Sequence, residues 1–132
     1  MSELTKALTT NDLPVLIETL NAVFARLPYD YWKGNSESIF HATMHFAFDI
    51  IGVALRSEVH SAHGRADVIV ETDTHVYVME FKLDRPVSKA LTQMRERAYA
   101  AGFAVDECTV VPLGISFSTE LRGIEEWKVL DA

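Results

Sequence analysis

Residues 64–83 of the 132-residue chain read GRADVIVETDTHVYVMEFKL, and this stretch decides the fold. Two runs rich in β-branched and aromatic residues, Ala66–Glu71 and Val76–Leu83, predict β-strands. The polar residues Thr72 to His75 between them predict a tight turn. The stretch therefore predicts an antiparallel hairpin whose tip is formed by Asp73 and Thr74.

Three charged residues of this hairpin are expected on one face. With the tip placed as above, Asp67 lies directly opposite Glu80. Side chains alternate along a strand, so Lys82 shares the face of Glu80, while Met79 and Phe81 point to the other face and into the core. This grouping depends on the register, because a slip of one residue would disperse it.

The two facing carboxylates predict a cation site. Like charges that face each other across a sheet are destabilising, and a hard divalent ion removes the repulsion. Mg²⁺, or Mn²⁺, suits such a site because it is held by one or two carboxylates together with water and substrate phosphates. Lys82 could orient or deprotonate an attacking water, or stabilise charge on a phosphoryl group. The alternative is a surface salt bridge of Lys82, but its strand is strongly apolar, where an unpaired charge costs most.

The rest of the chain predicts a mixed sheet flanked by helices, an α/β layer protein. Asn11-Asp12 and Pro14 predict the start of a helix at 13, and Pro28 stops it. Pro112 inside a predicted strand indicates an edge or a bulge. The other expected elements are a short helix or frayed end at 2–10, helices at 13–27, 36–51 and 87–101, and strands at 54–60, 109–117 and 126–130.

Composition and charge limit the possible classes of protein. The length fits one domain, 1–132, and 12 basic against 19 acidic residues give a net charge of −7, which is unusual for a general nucleic-acid binder. Lys89, Gln93 and Arg97 share a helix face that is either a phosphate-tracking surface or an ordinary solvated face. The single cysteine, Cys108, excludes an internal disulfide framework. No leader or membrane-spanning run is visible, so we expect a cytoplasmic protein that does not contact a membrane.

The hairpin motifs resemble the PD-(D/E)xK nuclease superfamily. The matching stretches are Gly64–Val68 and Val78–Leu83. Within the superfamily, the chain looks like the nuclease-like domain at the C-terminal end of bacterial AAA-ATPase-like proteins. The resemblance covers about residues 10–130 and extends to Tyr29, Glu37–His41, Ser57-Glu58, Ala90-Leu91, Gln93, Tyr99 and Gly114–Ser118. Ala66 departs from the proline that is common before the first acid.

The resemblance implies a restriction-endonuclease-like fold, with an αβββαβ core at about 35–130 and an extra N-terminal helix. It also implies that Asp67, Glu80 and the Phe81 carbonyl hold the metal and that Lys82 is the catalytic lysine. Glu37 matches an additional acid on the first core helix. Gln93 and Tyr99 match a helix that lines the site. Arg65, whose guanidinium can bind phosphate in a bidentate manner, and His41 are further candidates for substrate contact.

The sequence thus predicts a metal-dependent nuclease that acts on nucleic acid, with DNA as the expected substrate. One alternative is a nuclease-fold module that binds or regulates without turnover, and another is an interaction protein. A homodimer or a separate ATPase chain is the expected protein partner. Glu37, His41 and His45 form a helix stripe that could bind zinc, although packing beside the sheet is favoured.

Overall fold

The computed structural model describes residues 3–28, 36–50, 54–61, 64–97 and 109–130. The predicted αβββαβ core is confirmed and runs from α3 to β4. Two helices precede this core, the predicted extra helix and the short helix that was one of two possibilities for residues 2–10, and a strand follows it. In chain order the elements are α1 (Glu3–Thr10), α2 (Leu13–Ala25), α3 (Ser36–Ile50), β1 (Ala54–Ser61), β2 (Gly64–Glu71), β3 (His75–Leu83), α4 (Val87–Arg97), β4 (Thr109–Ser118) and β5 (Gly123–Val129).

The five strands form one mixed sheet in the order β1-β2-β3-β4-β5. β3 and β4 are parallel, and the other neighbouring strands are antiparallel. Parallel neighbours need a crossover connection, and α4 lies within the connection between β3 and β4. The mixed sheet flanked by helices is therefore as predicted.

The sheet has a hydrophobic cluster on each face. The larger cluster contains the buried side chains of α1, α2 and α3 and the Tyr77, Met79 and Phe81 side chains of β3. The smaller one joins Val76 and Val78 to α4. Since the two sets alternate along β3, the predicted orientation of Met79 and Phe81 into the core is confirmed.

The first two helices are linked by a tight junction that also anchors them to the sheet. Asn11 has a positive φ of 54°, and the Asp12 amide donates to the Ala7 carbonyl at 2.9 Å, which closes the end of α1. The Asp12 side chain accepts from Val15 N at 3.3 Å, so the predicted helix start is confirmed. The buried Tyr77 hydroxyl donates to the Leu8 carbonyl at 2.5 Å. Burial raises the pKa of Tyr77 to about 12.

The prediction of an edge or a bulge at Pro112 is wrong. β4 lies between β3 and β5, and its register shift is at Ser116 and Phe117. The Pro112 carbonyl accepts from Leu130 N at 2.9 Å. The nitrogen and carbonyl of one strand residue point to the same side, so the ring nitrogen faces the end of β5 and no hydrogen bond to β3 is lost.

The bounds of α2 and of the last strand differ from the predictions. α2 ends two residues before the expected position, and the last strand covers 123–129 rather than 126–130. Of the two possibilities for residues 2–10, a short helix or a frayed end, the structure has the helix. Residues 98–101 of the predicted third helix lie outside the described residues. Within the described ranges, no helix has the length and apolar character that crossing a bilayer requires.

Candidate functional site

The Asp67 carboxylate lies where β2 and β3 meet. The hairpin ladder includes the pairs Ile69–Val78 and Val68–Met79, which is the register predicted from the sequence. Beyond these pairs, the Phe81 amide of β3 donates to a side chain, since Asp67 Oδ2 accepts from Phe81 N at 2.8 Å. This bond orients the carboxylate and leaves its second oxygen for another partner.

The Phe81 carbonyl points toward β2, as the Phe81 amide does. In a strand, the N–H and C=O of one residue point toward the same neighbour. The Phe81 amide points to Asp67, so its carbonyl oxygen also points toward β2. A carboxylate oxygen and a main-chain oxygen are thus presented from neighbouring strands.

Glu80 and Lys82 form a close pair on the α4 face of β3. Lys82 Nζ lies 3.8 Å from Glu80 Oε1, and the Glu80 and Lys82 side chains are 6% and 22% exposed. Glu80 is therefore a carboxylate in a nearly buried setting, where only a paired or ligated charge is stable. The shared face that the sequence predicted for these two residues is present in the structure.

Gln93 of α4 contacts Lys82 on the face of the sheet that α4 covers. Lys82 Nζ donates to Gln93 Oε1 at 2.5 Å, so the lysine lies between an amide oxygen and a carboxylate. Lys89 is exposed one turn earlier on the same helix. Arg97 belongs to α4, but its side chain is outside the described part of the chain, so the predicted phosphate-tracking stripe stays a prediction.

His41 lies on the other side of the sheet from the Glu80–Lys82 pair. Its ring packs edge-on against Phe81, with the ring centroids 5.1 Å apart and the planes at 81°. His41 is therefore placed beside the site's backbone rather than beside its carboxylates. The Glu37 and Arg65 side chains and the whole of Tyr99 lie outside the described residues, so their predicted roles stay predictions.

The oxygen ligands present fit a hard divalent cation. Two carboxylates and one carbonyl, from Asp67, Glu80 and Phe81, match the oxygen ligands that Mg²⁺ and Mn²⁺ prefer and leave positions for water and a phosphate. Among the side chains that the structure describes, no group of three or more His, Cys, Asp or Glu residues could hold a metal. The Glu37 side chain lies outside the described part of the chain, so the zinc alternative on α3 stays a prediction.

Sequence reasoning assigned no role to two residues that fix α4 over the site. Gly114 of β4 is paired with Glu80 in the strand register, and a Cβ there would lie only 3.1–3.2 Å from three α4 side chains. Glu126 Oε1 accepts from Val87 N, the first amide of α4, at 2.8 Å. A glycine inside a strand is a recognisable signal of close approach, but nothing in the sequence pairs Glu126 with Val87.

The chain matches the PD-(D/E)XK nuclease superfamily over residues 35–127. It is 31% identical over 123 residues to a protein of Azotobacter chroococcum mcd 1 named as an uncharacterized protein in the vnfD 5′ region, which covers 89% of this chain and 24% of that protein. It is 30% identical over 79 residues to the CRISPR-associated exonuclease Cas4 of Francisella tularensis subsp. novicida (strain U112), which covers 60% of this chain and 39% of that protein. The chain thus spans about a quarter and about two fifths of the length of these relatives. No solved structure matches it significantly.

Proposed function

The chain belongs to the PD-(D/E)XK nuclease superfamily, and on that premise we propose that it is a metal-dependent nuclease that hydrolyses phosphodiester bonds of DNA. The observation that carries the proposal is the arrangement at the end of the hairpin. Asp67 is oriented by the Phe81 amide, and the nearly buried Glu80 lies beside Lys82. A nearly buried carboxylate is costly unless a cation pairs with it or ligates it, and this group of side chains matches the superfamily's chemistry.

In this proposal Asp67, Glu80 and the Phe81 carbonyl hold Mg²⁺ or Mn²⁺, and Glu37 of α3 is an additional carboxylate. A bound divalent ion would lower the pKa of a water molecule and stabilise charge on the phosphoryl oxygens. Lys82 orients the attacking water and stabilises the charge that develops on the phosphate. Superfamily members generally use divalent metals, which supports this choice of cofactor.

Basic residues around α4 support nucleic acid as the substrate. Arg85, Lys89 and Arg95 are exposed in or just before α4, in a chain whose net charge is −7. A local basic surface of this kind can neutralise phosphates although the whole chain is acidic. The residues proposed to contact the substrate are Arg65, Tyr99, Lys89, Arg97 and His41.

We further propose that residues 1–132 act as one domain, with a second copy of the chain or a separate ATPase chain as the partner. The matched region is only 24% of the Azotobacter protein, so most of that relative lies outside the region that it shares with this chain. The proposed site of action is the cytoplasm, where a bacterial cell keeps its DNA. Light scattering of the purified chain, alone and mixed with candidate ATPase chains, tests the partner.

The proposal is tested by a cleavage assay with Mg²⁺ or Mn²⁺ on supercoiled, linear and single-stranded DNA and on RNA. Lys82→Ala is compared with Lys6→Ala, which removes a lysine from α1 on the other face of the sheet. We expect cleavage of DNA by the wild type and by Lys6→Ala, and loss of cleavage in Lys82→Ala and in EDTA.

Two outcomes contradict the proposal. Cleavage that survives in Lys82→Ala identifies a contaminant or another site. Absence of cleavage on every substrate with both metals favours a binding module, and a calorimetric Mn²⁺ titration of wild type and Asp67→Asn then shows whether the carboxylates still bind metal.

A further inference from the structure

Among the side chains that the structure describes, two acceptors lie close to the Lys82 ammonium, and the nearer one is neutral. Gln93 Oε1 lies 2.5 Å from Lys82 Nζ, whereas Glu80 Oε1 lies 3.8 Å away. We infer that Gln93 is a positioning residue that holds Lys82 at the working geometry of the site. The inference rests on the proposed nuclease function and assigns to Gln93 a role other than direct contact with the substrate.

A lysine side chain needs such a partner to stay in one place. Its flexible stem carries about 2 kcal/mol of rotamer entropy, and its ammonium is attracted to any nearby carboxylate. If Gln93 did not accept a hydrogen bond from it, Lys82 would be drawn onto Glu80 and would occupy an oxygen that the proposed metal needs. The amide oxygen restrains the ammonium without adding charge to the site.

The position of Gln93 is itself set by how α4 is fixed to the sheet. Three anchors hold the first turns of the helix. Ser116 Oγ donates to the Arg85 carbonyl just before α4, Glu126 accepts from Val87 N, and the bare Gly114 lets the helix approach the sheet closely. Because the helix is rigid, fixing its first turns also fixes the residues that follow, so the Gln93 amide reaches Lys82 from one direction.

A positioning residue and a substrate ligand respond differently to a negative charge at position 93. Gln93→Glu keeps the size and the acceptor oxygen, so a positioning role survives it. A ligand of phosphate would instead repel the substrate after this change. Gln93→Met keeps the length and removes the acceptor, which abolishes a positioning role.

The kinetic experiment compares kcat and KM of the wild type, Gln93→Met and Gln93→Glu on the substrate that is cleaved best. Loss of a hydrogen bond to a charged group predicts a kcat about 10- to 100-fold lower in Gln93→Met, with little change in KM. Gln93→Glu is expected to recover most of the kcat. A KM increase in both variants, larger in Gln93→Glu, would overturn the inference in favour of substrate binding.

A second measurement does not depend on activity. The proteins are treated with a limiting acetylating reagent, and modification of Lys82 is quantified by mass spectrometry relative to the exposed Lys89 of α4. We expect the Lys82-to-Lys89 ratio to fall severalfold in Gln93→Met, because an ammonium drawn onto the Glu80 carboxylate is a weaker nucleophile. An unchanged ratio in Gln93→Met refutes the inference.

The two measurements separate the inference from the proposed function. A wild type that cleaves nothing but shows the expected labelling pattern contradicts the nuclease proposal and leaves the Gln93–Lys82 contact established. If Gln93→Met does not fold, Gln93→Asn replaces it, because its amide is one methylene too short to reach Lys82. The unfolding temperature of each variant is measured first.

Discussion

Replacing Gly114 with alanine tests whether close packing of α4 on the sheet sets the site. The added Cβ would lie 3.1 Å from Leu91 Cδ2 and 3.2 Å from both Ala90 Cβ and Val87 Cγ2. Favourable contacts between carbon atoms lie at roughly 3.5–4.0 Å, so α4 must move away by a few tenths of an ångström. Since Gln93 is carried by α4, this movement lengthens its contact with Lys82, which is 2.5 Å in the wild type.

The expected cost follows from two opposing effects. Overpacking a dense core costs roughly 1–3 kcal/mol of unfolding free energy. Replacing glycine by alanine recovers about 0.4–1 kcal/mol, because the unfolded chain loses conformational freedom. At the midpoints of these two ranges the net destabilisation of Gly114→Ala is about 1.3 kcal/mol, which lowers the Tm by roughly 4–8 °C in a chain of this size. We also expect kcat to fall about tenfold, as for partial loss of a hydrogen bond to a charged group.

Gly123→Ala is the matched control. Its Cβ would lie 2.8 Å from Asn21 Oδ1, and Asn21 Oδ1 accepts from Ile124 N at 2.7 Å while Asn21 Nδ2 donates to the Ile124 carbonyl at 3.2 Å. This variant disturbs α2 and β5, so it is expected to lower the Tm comparably and to leave kcat unchanged.

The assays are thermal unfolding and steady-state cleavage, both measured for each variant. A Gly114→Ala protein that keeps the wild-type Tm and kcat would show that α4 is not held at this contact. Equal loss of kcat in Gly114→Ala and Gly123→Ala would show that the activity change reflects stability alone.

Three further predictions concern the anchors of the fold and site. Asp67→Ala leaves the Phe81 amide without its acceptor and should lower the unfolding free energy by about 1–3 kcal/mol. Asp67→Asn should keep the stability but weaken Mn²⁺ binding, measured by calorimetry, more than tenfold. Equal stability of the two variants would contradict the structural role of the hydrogen bond. Glu126→Ala removes the acceptor of the Val87 amide and should cost about 1 kcal/mol in guanidinium unfolding; no change would mean that water replaces it. Burial raises the pKa of Tyr77 from 10.0 to about 12, so the folded state holds this proton more tightly than the unfolded state. The unfolding free energy should therefore fall by about 1.4 kcal/mol per pH unit between pH 10 and pH 12. Tyr77→Phe should lack that component, and parallel urea-unfolding profiles of the two proteins across this range would contradict it.

The local pattern of the hairpin was sufficient to predict its register. Val68 faces Met79 and Ile69 faces Val78, as the placement of the turn required. The alternation of side chains fixes the register because the charged residues of β3 all lie on one face. A slip of one residue between the strands would turn them to the opposite face. The cap at Asp12 was likewise predictable, since the residues of a helix start interact only with neighbours in the chain.

Contacts between distant segments were not predictable from one sequence. Pro112 indicated an edge, yet β4 is an interior strand. It tolerates the proline because the ring nitrogen faces the end of β5 rather than a carbonyl of β3. His41 was a candidate for phosphate contact, and the structure places its ring against Phe81. Each outcome depends on which helix or strand packs against the residue in the folded chain, and the residue type alone does not predict that.

The sequence by itself determined the mixed α/β architecture, the shared face of Glu80 and Lys82, and the placement of Asp67 at the same hairpin. These features follow from turn chemistry and from side-chain alternation, which act over a few residues. The tertiary structure alone decided that Asp67 accepts from the Phe81 amide and that Lys82 donates to Gln93. Those contacts depend on where β2 stops pairing with β3 and how closely α4 approaches Gly114, and such distances are set by packing among elements far apart in the chain.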